Sequence, residues 1–108
     1  MKLRRQNRLT DLWRDHVAQF LEQVSDRSTI ITVTHTELLE EGKVVKAFIT
    51  VIPEEREVSS LEFANRKVGQ LRAFVAEESK TEFVPRFTFV IDKGEKNRQR
   101  IDEIERTL

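Results

Sequence analysis

Few side chains in this sequence are of a type and spacing that perform chemistry. Its two histidines, His16 and His35, have no serine, carboxylate or partner histidine placed to complete a triad or a metal site. His16 falls in the apolar stripe of a helical pattern, and His35 shares the strand parity of Ile31 and Val33. Both are expected to be packed or rim residues rather than bases. With no cysteine in the chain, a thiolate zinc site, a cysteine nucleophile and a disulfide framework are excluded together. Asp92-Lys93-Gly94-Glu95-Lys96 lacks the alternating oxygen ligands of a calcium loop and reads as a turn followed by a helix start. The chain is therefore expected to be no enzyme, and to have no catalytic residue, no metal and no cofactor.

What remains is cationic. Lys2, Arg4, Arg5 and Arg8 form the densest basic cluster without an intervening acid. Several such groups on phosphates release counterions and give a steep salt dependence. The competing reading is a solubilising terminus with no partner. A second candidate lies further on, where Gly69 interrupts a helical pattern between Lys67 and Arg72. Those two cations suit phosphate contact, against the common case of solvated helix side chains. Gly69 itself admits close phosphate approach, against a structural role as a kink and a close packing point.

The elements that must position these groups follow from periodicity. Leu9, Leu12, Trp13, His16, Val17, Phe20, Leu21 and Val24 make one stripe of a 3.6-residue period, so the first element is a helix ended by Ser25-Asp26-Arg27-Ser28. Thr29 to Thr36, rich in β-branched residues, predicts a strand. Glu40-Glu41-Gly42-Lys43 predicts a hairpin loop in which Gly42 takes a positive φ. The strand from Val44 to Ile52 puts Val45, Ala47, Ile49 and Val51 on one face and Lys46, Phe48 and Thr50 on the other, and Pro53 ends it. Phe48 is then either an exposed stacking residue or an aromatic that something covers. Glu57 to Ser79 is helical, with stripes Val58-Leu61-Ala64-Val68 and Leu71-Phe74-Val75 and a kink over residues 67–70. Phe87 to Ile91 predicts a third strand after Pro85. The charged tail places Ile101, Ile104 and Leu108 at helical spacing and is expected to dock by that narrow stripe.

The order α-β-β-α-kink-α-β plus a terminal helix implies an α+β domain, a three-stranded sheet backed by helices. Its 108 residues fit one domain spanning 1–108, with 93–108 a charged helical extension. Seven phenylalanines, one tryptophan and 38% hydrophobic residues suffice for a core. No apolar run is long enough for a membrane span and no signal peptide is read, so a cytoplasmic protein is expected. The 19 basic and 19 acidic groups cancel, but unevenly. Residues 1–28 carry net +2, residues 29–65 net −4, residues 66–91 net +2, and 92–108 balance. Such a pattern permits a two-faced surface.

Four stretches, in this order and spacing, resemble the ribosome-binding factor A family of bacterial small-subunit assembly factors. They are the basic opening into an amphipathic helix; Thr36-Glu37-Leu38 with Lys46-Ala47-Phe48-Ile49-Thr50-Val51; Gly69-Gln70-Leu71-Arg72; and Val84-Pro85-Arg86-Phe87-Thr88-Phe89-Val90-Ile91-Asp92. Together they cover nearly the whole chain. The chain departs from the family pattern in three places. Lys67-Val68-Gly69 stands for Ala-x-Gly, Leu39-Glu40-Glu41 for Ser-x-Asp, and the connection over residues 77–82 is acidic where the family is usually basic.

The resemblance implies a type II KH-like fold and a non-enzymatic factor of ribosome biogenesis. Such a factor binds the small ribosomal subunit or its precursor rRNA and assists late maturation and rRNA processing. Arg4, Arg5, Arg8, Lys67, Gly69 and Arg72 are the expected RNA-binding residues, in a protein expected to be a monomer with no membrane partner. The Gly-x-x-Gly loop by which KH domains cradle phosphates is not present. The acidic middle and the zero net charge motivate a second reading, a protein-interaction module on a KH-like scaffold with little RNA affinity.

Overall fold

The alternating run of Val45, Ala47, Ile49 and Val51 becomes the central strand of the molecule. A computed structural model of the protein describes residues 2–80 and 83–107, with side chains over residues 10–80 and 83–106. The central strand is β2, Val44–Ile52. Around it lie α1 (Lys2–Val24), β1 (Ile30–Leu39), α2 (Glu57–Arg66), α3 (Val68–Ser79), β3 (Arg86–Ile91) and α4 (Lys93–Thr107). The strand order is β1-β2-β3, with β1 antiparallel and β3 parallel to β2. A parallel pair needs a long crossover, and α2 with α3 supplies it.

One face of the sheet carries the core. Val45, Ala47, Ile49, Phe87 and Phe89 cluster with Val17, Phe20 and Leu21 of α1, Ala64 of α2, and Leu71 and Val75 of α3. Aromatic edges fix the helix positions: Trp13 meets Phe87 edge-on at 6.2 Å between ring centroids, and Phe20 meets Phe74 at 5.7 Å. The opposite face is open, with Thr32, His35 and Glu37 exposed, as the alternation predicts. Gly42 has φ +86°, as expected, and Glu40 and Glu41 join it in the left-handed region at +50° and +57°. The hairpin thus turns over residues 40–43 as expected, while β1 runs on past Thr36 to Leu39.

Three expectations are corrected. First, His35 is not on the core face. The β1–β2 register shifts between Val33 and His35, and one extra residue reverses the parity of everything after it. Thr36 is buried instead, donating its hydroxyl to the Thr10 carbonyl at 2.8 Å. His35 lies on the open face, stacked on Phe48 at 4.1 Å. The Lys46 ammonium stands 5.2 Å from the centroid of that Phe48 ring, so Phe48 is a partly covered aromatic.

Second, Ile101 and Ile104 do not bury α4 against the sheet, being 56% and 59% exposed, and Leu108, the third residue of the expected stripe, lies outside the described residues. Asp92 starts the helix by accepting the Glu95 N–H at 3.0 Å. Ion pairs then set its direction, Lys96 lying 2.7 Å from Glu54 and 3.1 Å from Glu57, and Arg100 2.9 Å from Glu54. The hydrogen bond from Lys96, reinforced by both cations, lowers the Glu54 carboxyl below its usual range. The same contacts with Glu54 and Glu57 raise the Lys96 ammonium. Third, two positions of the helical stripes lie outside the core, Leu12 at 41% and Val58 at 71% exposed.

These assignments separate two leucine-sized residues with the same helical spacing. Leu71→Ala, at a fully buried position, is expected to lower the urea-unfolding free energy by about 2–5 kcal/mol. Ile101→Ser is expected to change it by less than about 0.5 kcal/mol. A cost at Ile101 comparable to that at Leu71 would show that the stripe is docked after all.

Candidate nucleic-acid interface

The helical stretch breaks at one residue. Lys67, at φ −89° and ψ 5°, closes α2 by donating its N–H to the Phe63 and Ala64 carbonyls. Its own carbonyl accepts the Leu71 N–H at 2.9 Å, so the same residue opens α3. The expected kink thus falls on its first residue. Gly69, the residue expected to permit it, sits in the first turn of α3 without a positive φ. A Cβ added there would meet no atom within 4 Å outside its chain neighbours and local helix backbone. Close helix packing is therefore not the reason for this glycine. It leaves an open, exposed patch of backbone, and Arg72, three residues on, shares its face of α3.

Lys67 places its ammonium 5.6 Å from the Phe63 ring centroid and, among the described residues, makes no ion pair. Arg66 beside it is exposed. The exposed Arg72 guanidinium donates a hydrogen bond to the Val84 carbonyl at 3.2 Å, tying α3 to the loop before β3. A guanidinium has five N–H donors in all.

The break is held against the sheet by a residue that sequence reasoning passed over. Asn65, two positions before Lys67, accepts the Phe89 N–H at 3.0 Å and donates its amide to the Phe89 carbonyl at 3.3 Å. β3 is an edge strand, whose outward backbone groups would otherwise lack a strand partner. The side-chain amide stands in for that strand and anchors the last turn of α2. Its sequence signal was weak, a polar residue in a helix where solvated side chains are common.

Of the six expected RNA-binding residues, Lys67, Gly69 and Arg72 lie at the helix break and the first turns of α3. Val24, at the C-terminal end of α1, lines the same groove as Phe63 and Arg66. Arg8 stands about 24 Å back along α1 at about 1.5 Å per residue. Arg4, Arg5 and Arg8 belong to the opening turns of α1, and their side chains lie outside the described residues. The structure instead gathers Lys67 with Arg66 and Phe63, and the groove adds Arg56. Arg66 was legible beside Lys67 in the sequence. Arg56 was not, because only the fold brings it near.

Replacing Asn65 tests the anchor. Asn65→Leu keeps helix propensity but removes both bonds to Phe89, and is expected to cost about 1–3 kcal/mol in thermal or urea unfolding. Amide exchange at Phe89 should accelerate with it. Unchanged exchange at Phe89 would show that the edge is satisfied in another way.

Comparison with known proteins agrees with this geometry. The family model described as "Ribosome-binding factor A" matches residues 5–105. A ribosome-binding factor A of Thermodesulfovibrio yellowstonii is 32% identical over 103 residues, covering 94% of this chain and 87% of that one. The crystal structure of ribosome-binding factor A from Thermus thermophilus superposes with a TM-score of 0.72 at 21% identity, over 80% of this chain and 93% of that one. A homology model of the Thermus thermophilus factor, fitted into the cryo-EM map of a complex with the 30S subunit, gives 0.67 at 20% identity, over 78% and 91%. The sheet order, the interrupted helix and these likenesses establish the KH-like α+β fold. The chain belongs to the ribosome-binding factor A family.

Proposed function

We propose that this chain is a non-enzymatic assembly factor that binds the small ribosomal subunit or its precursor rRNA in the cytoplasm, as a monomer, and assists late maturation and rRNA processing. The observation that carries the reading is the exposed helix break, where Lys67 and Arg72 flank the uncovered backbone of Gly69. The Thermus thermophilus relative fitted to a 30S complex supports the choice of partner. Among the described residues no helix is long and apolar enough to cross a membrane, and no group of acidic or histidine side chains is placed to hold a metal ion.

The chemistry asked of such a site is recognition. Phosphate oxygens approach Gly69 because no Cβ shields the backbone, and the neighbouring cations neutralise them. A factor of this kind shifts a folding equilibrium of the RNA only by the difference in its affinity for the two RNA states. Arg4, Arg5 and Arg8 are proposed as a second set of phosphate contacts at the far end of α1, so that one RNA surface would be touched at two separated points. Two-point contact favours a particular RNA shape over a linear sequence.

Co-sedimentation with small subunits at low and high salt tests the proposal. Wild-type protein is expected to co-migrate at low salt and to dissociate as salt rises. Lys67→Glu and Arg72→Glu together should weaken binding about tenfold or more and flatten the salt dependence by about one unit of slope for each phosphate no longer neutralised. Gly69→Ala is expected to raise stability by about 0.5–1 kcal/mol while weakening subunit binding, a split that a merely structural glycine would not show. Binding untouched by these changes would favour the protein-interaction reading.

A further inference from the structure

A groove of about 330 Å³ lies where the end of α1 and the start of β1 meet one side of α2. It is separate from the face carrying Gly69 and Arg72, but Phe63 and Arg66 line it, and Lys67 stands over the Phe63 ring. Val24, Ile31 and Phe63 give the groove apolar and aromatic surface, and Arg56 and Arg66 stand on its wall. Asp26 is the one carboxylate among the lining residues. Its Oδ1 already accepts the N–H and the hydroxyl of Ser28, at 2.9 and 2.7 Å. Arg56 lies near enough to Asp26 to help lower its carboxyl, after the two Ser28 hydrogen bonds. The Arg66 guanidinium makes no ion pair among the described residues.

From the juxtaposition of an aromatic-lined apolar floor and an uncompensated guanidinium, we infer that this groove takes one unstacked nucleotide of single-stranded RNA. The phosphate sits on Arg66 and Arg56, and the base against Phe63. The volume lies at the lower end of the roughly 300–1,000 Å³ of ligand pockets, enough for one splayed nucleotide and too little for a duplex. Its location next to Lys67 lets the strand run from the helix break into the groove. This inference rests on the RNA reading above and extends it to a site that reads single strands.

Fluorescence anisotropy with the full chain tests it, using labelled oligoadenylate as the single strand and an RNA duplex of the same length. The single strand is expected to bind more tightly than the duplex. Arg66→Gln, at an exposed position, should weaken binding about fivefold and reduce the salt slope by about 0.7. Phe63→Leu should weaken it by a similar factor with the slope unchanged. Because Phe63 also packs beside Lys67, Arg66→Gln with an unchanged melting temperature keeps the test decisive if the leucine variant unfolds. If both variants bind as wild type does while Lys67→Glu does not, the groove assignment is overturned and the RNA reading stands. Equal affinity for the duplex overturns it as well. So does an acidic peptide, polyglutamate, competing as strongly as the RNA. If wild type binds no oligonucleotide yet co-sediments with small subunits, the groove falls alone. If it binds neither, both readings fall.

Discussion

The amide of Asn65 on the backbone of Phe89 is the contact on which the rest of the surface depends. It satisfies both outward backbone groups of Phe89 on the outer edge of β3 and ties the last turn of α2 to the sheet. Lys67 can then end one helix and begin the next without the sheet and helices drifting apart. The break thereby keeps a defined position: Gly69 uncovered, Arg72 tied to the loop before β3, and Arg66 turned to the groove. A side-chain amide is well suited to the task, having both a donor and an acceptor at the spacing of a peptide group. It also denies the β3 edge to any pairing strand.

Electrostatics in this molecule are local. The chain sums to zero charge, so no net charge draws it towards a polyanion. Its acids are engaged unevenly, however. Glu54 and Glu57 hold Lys96 and Arg100 where α4 leaves the sheet, and Glu40 holds Arg86 beside the hairpin. Asp26 is committed to its own turn. The cations of the helix break, Arg66 and Lys67, form no ion pair among the described residues. Charge that cancels in sum is thus left uncancelled where a phosphate can approach.

Much of this fold was legible from alternation and spacing. The stripe of α1, the faces of β2, the stop at Pro53 and the turn at Asp92 follow from residue type alone. The failures share a physical cause, since each depends on what lies opposite. The bulge at His35 adds one residue to one strand, which no residue type announces, and it sends a histidine to the open face and a threonine to the core. Ile101 and Ile104 have the spacing of a buried stripe, but ion pairs at the base of α4 set its direction before that stripe can dock. Gly69 marked the right neighbourhood for the wrong reason, because the break belongs to Lys67 and the glycine lies uncovered in the first turn of α3. Asn65 and Arg56 gain their roles only from elements distant in sequence.

The claim at the centre is that RNA sits at the helix break and its adjoining groove, not on the open sheet face. Hydrogen–deuterium exchange of the protein, free and bound to small ribosomal subunits, reads this directly. RNA at the break predicts slowed exchange over residues 66–72 and in the groove segments 25–31 and 56–63, with the hairpin and the exposed face around His35 and Phe48 unchanged. Slowing confined to that sheet face, with residues 66–72 exchanging as in the free protein, would contradict it.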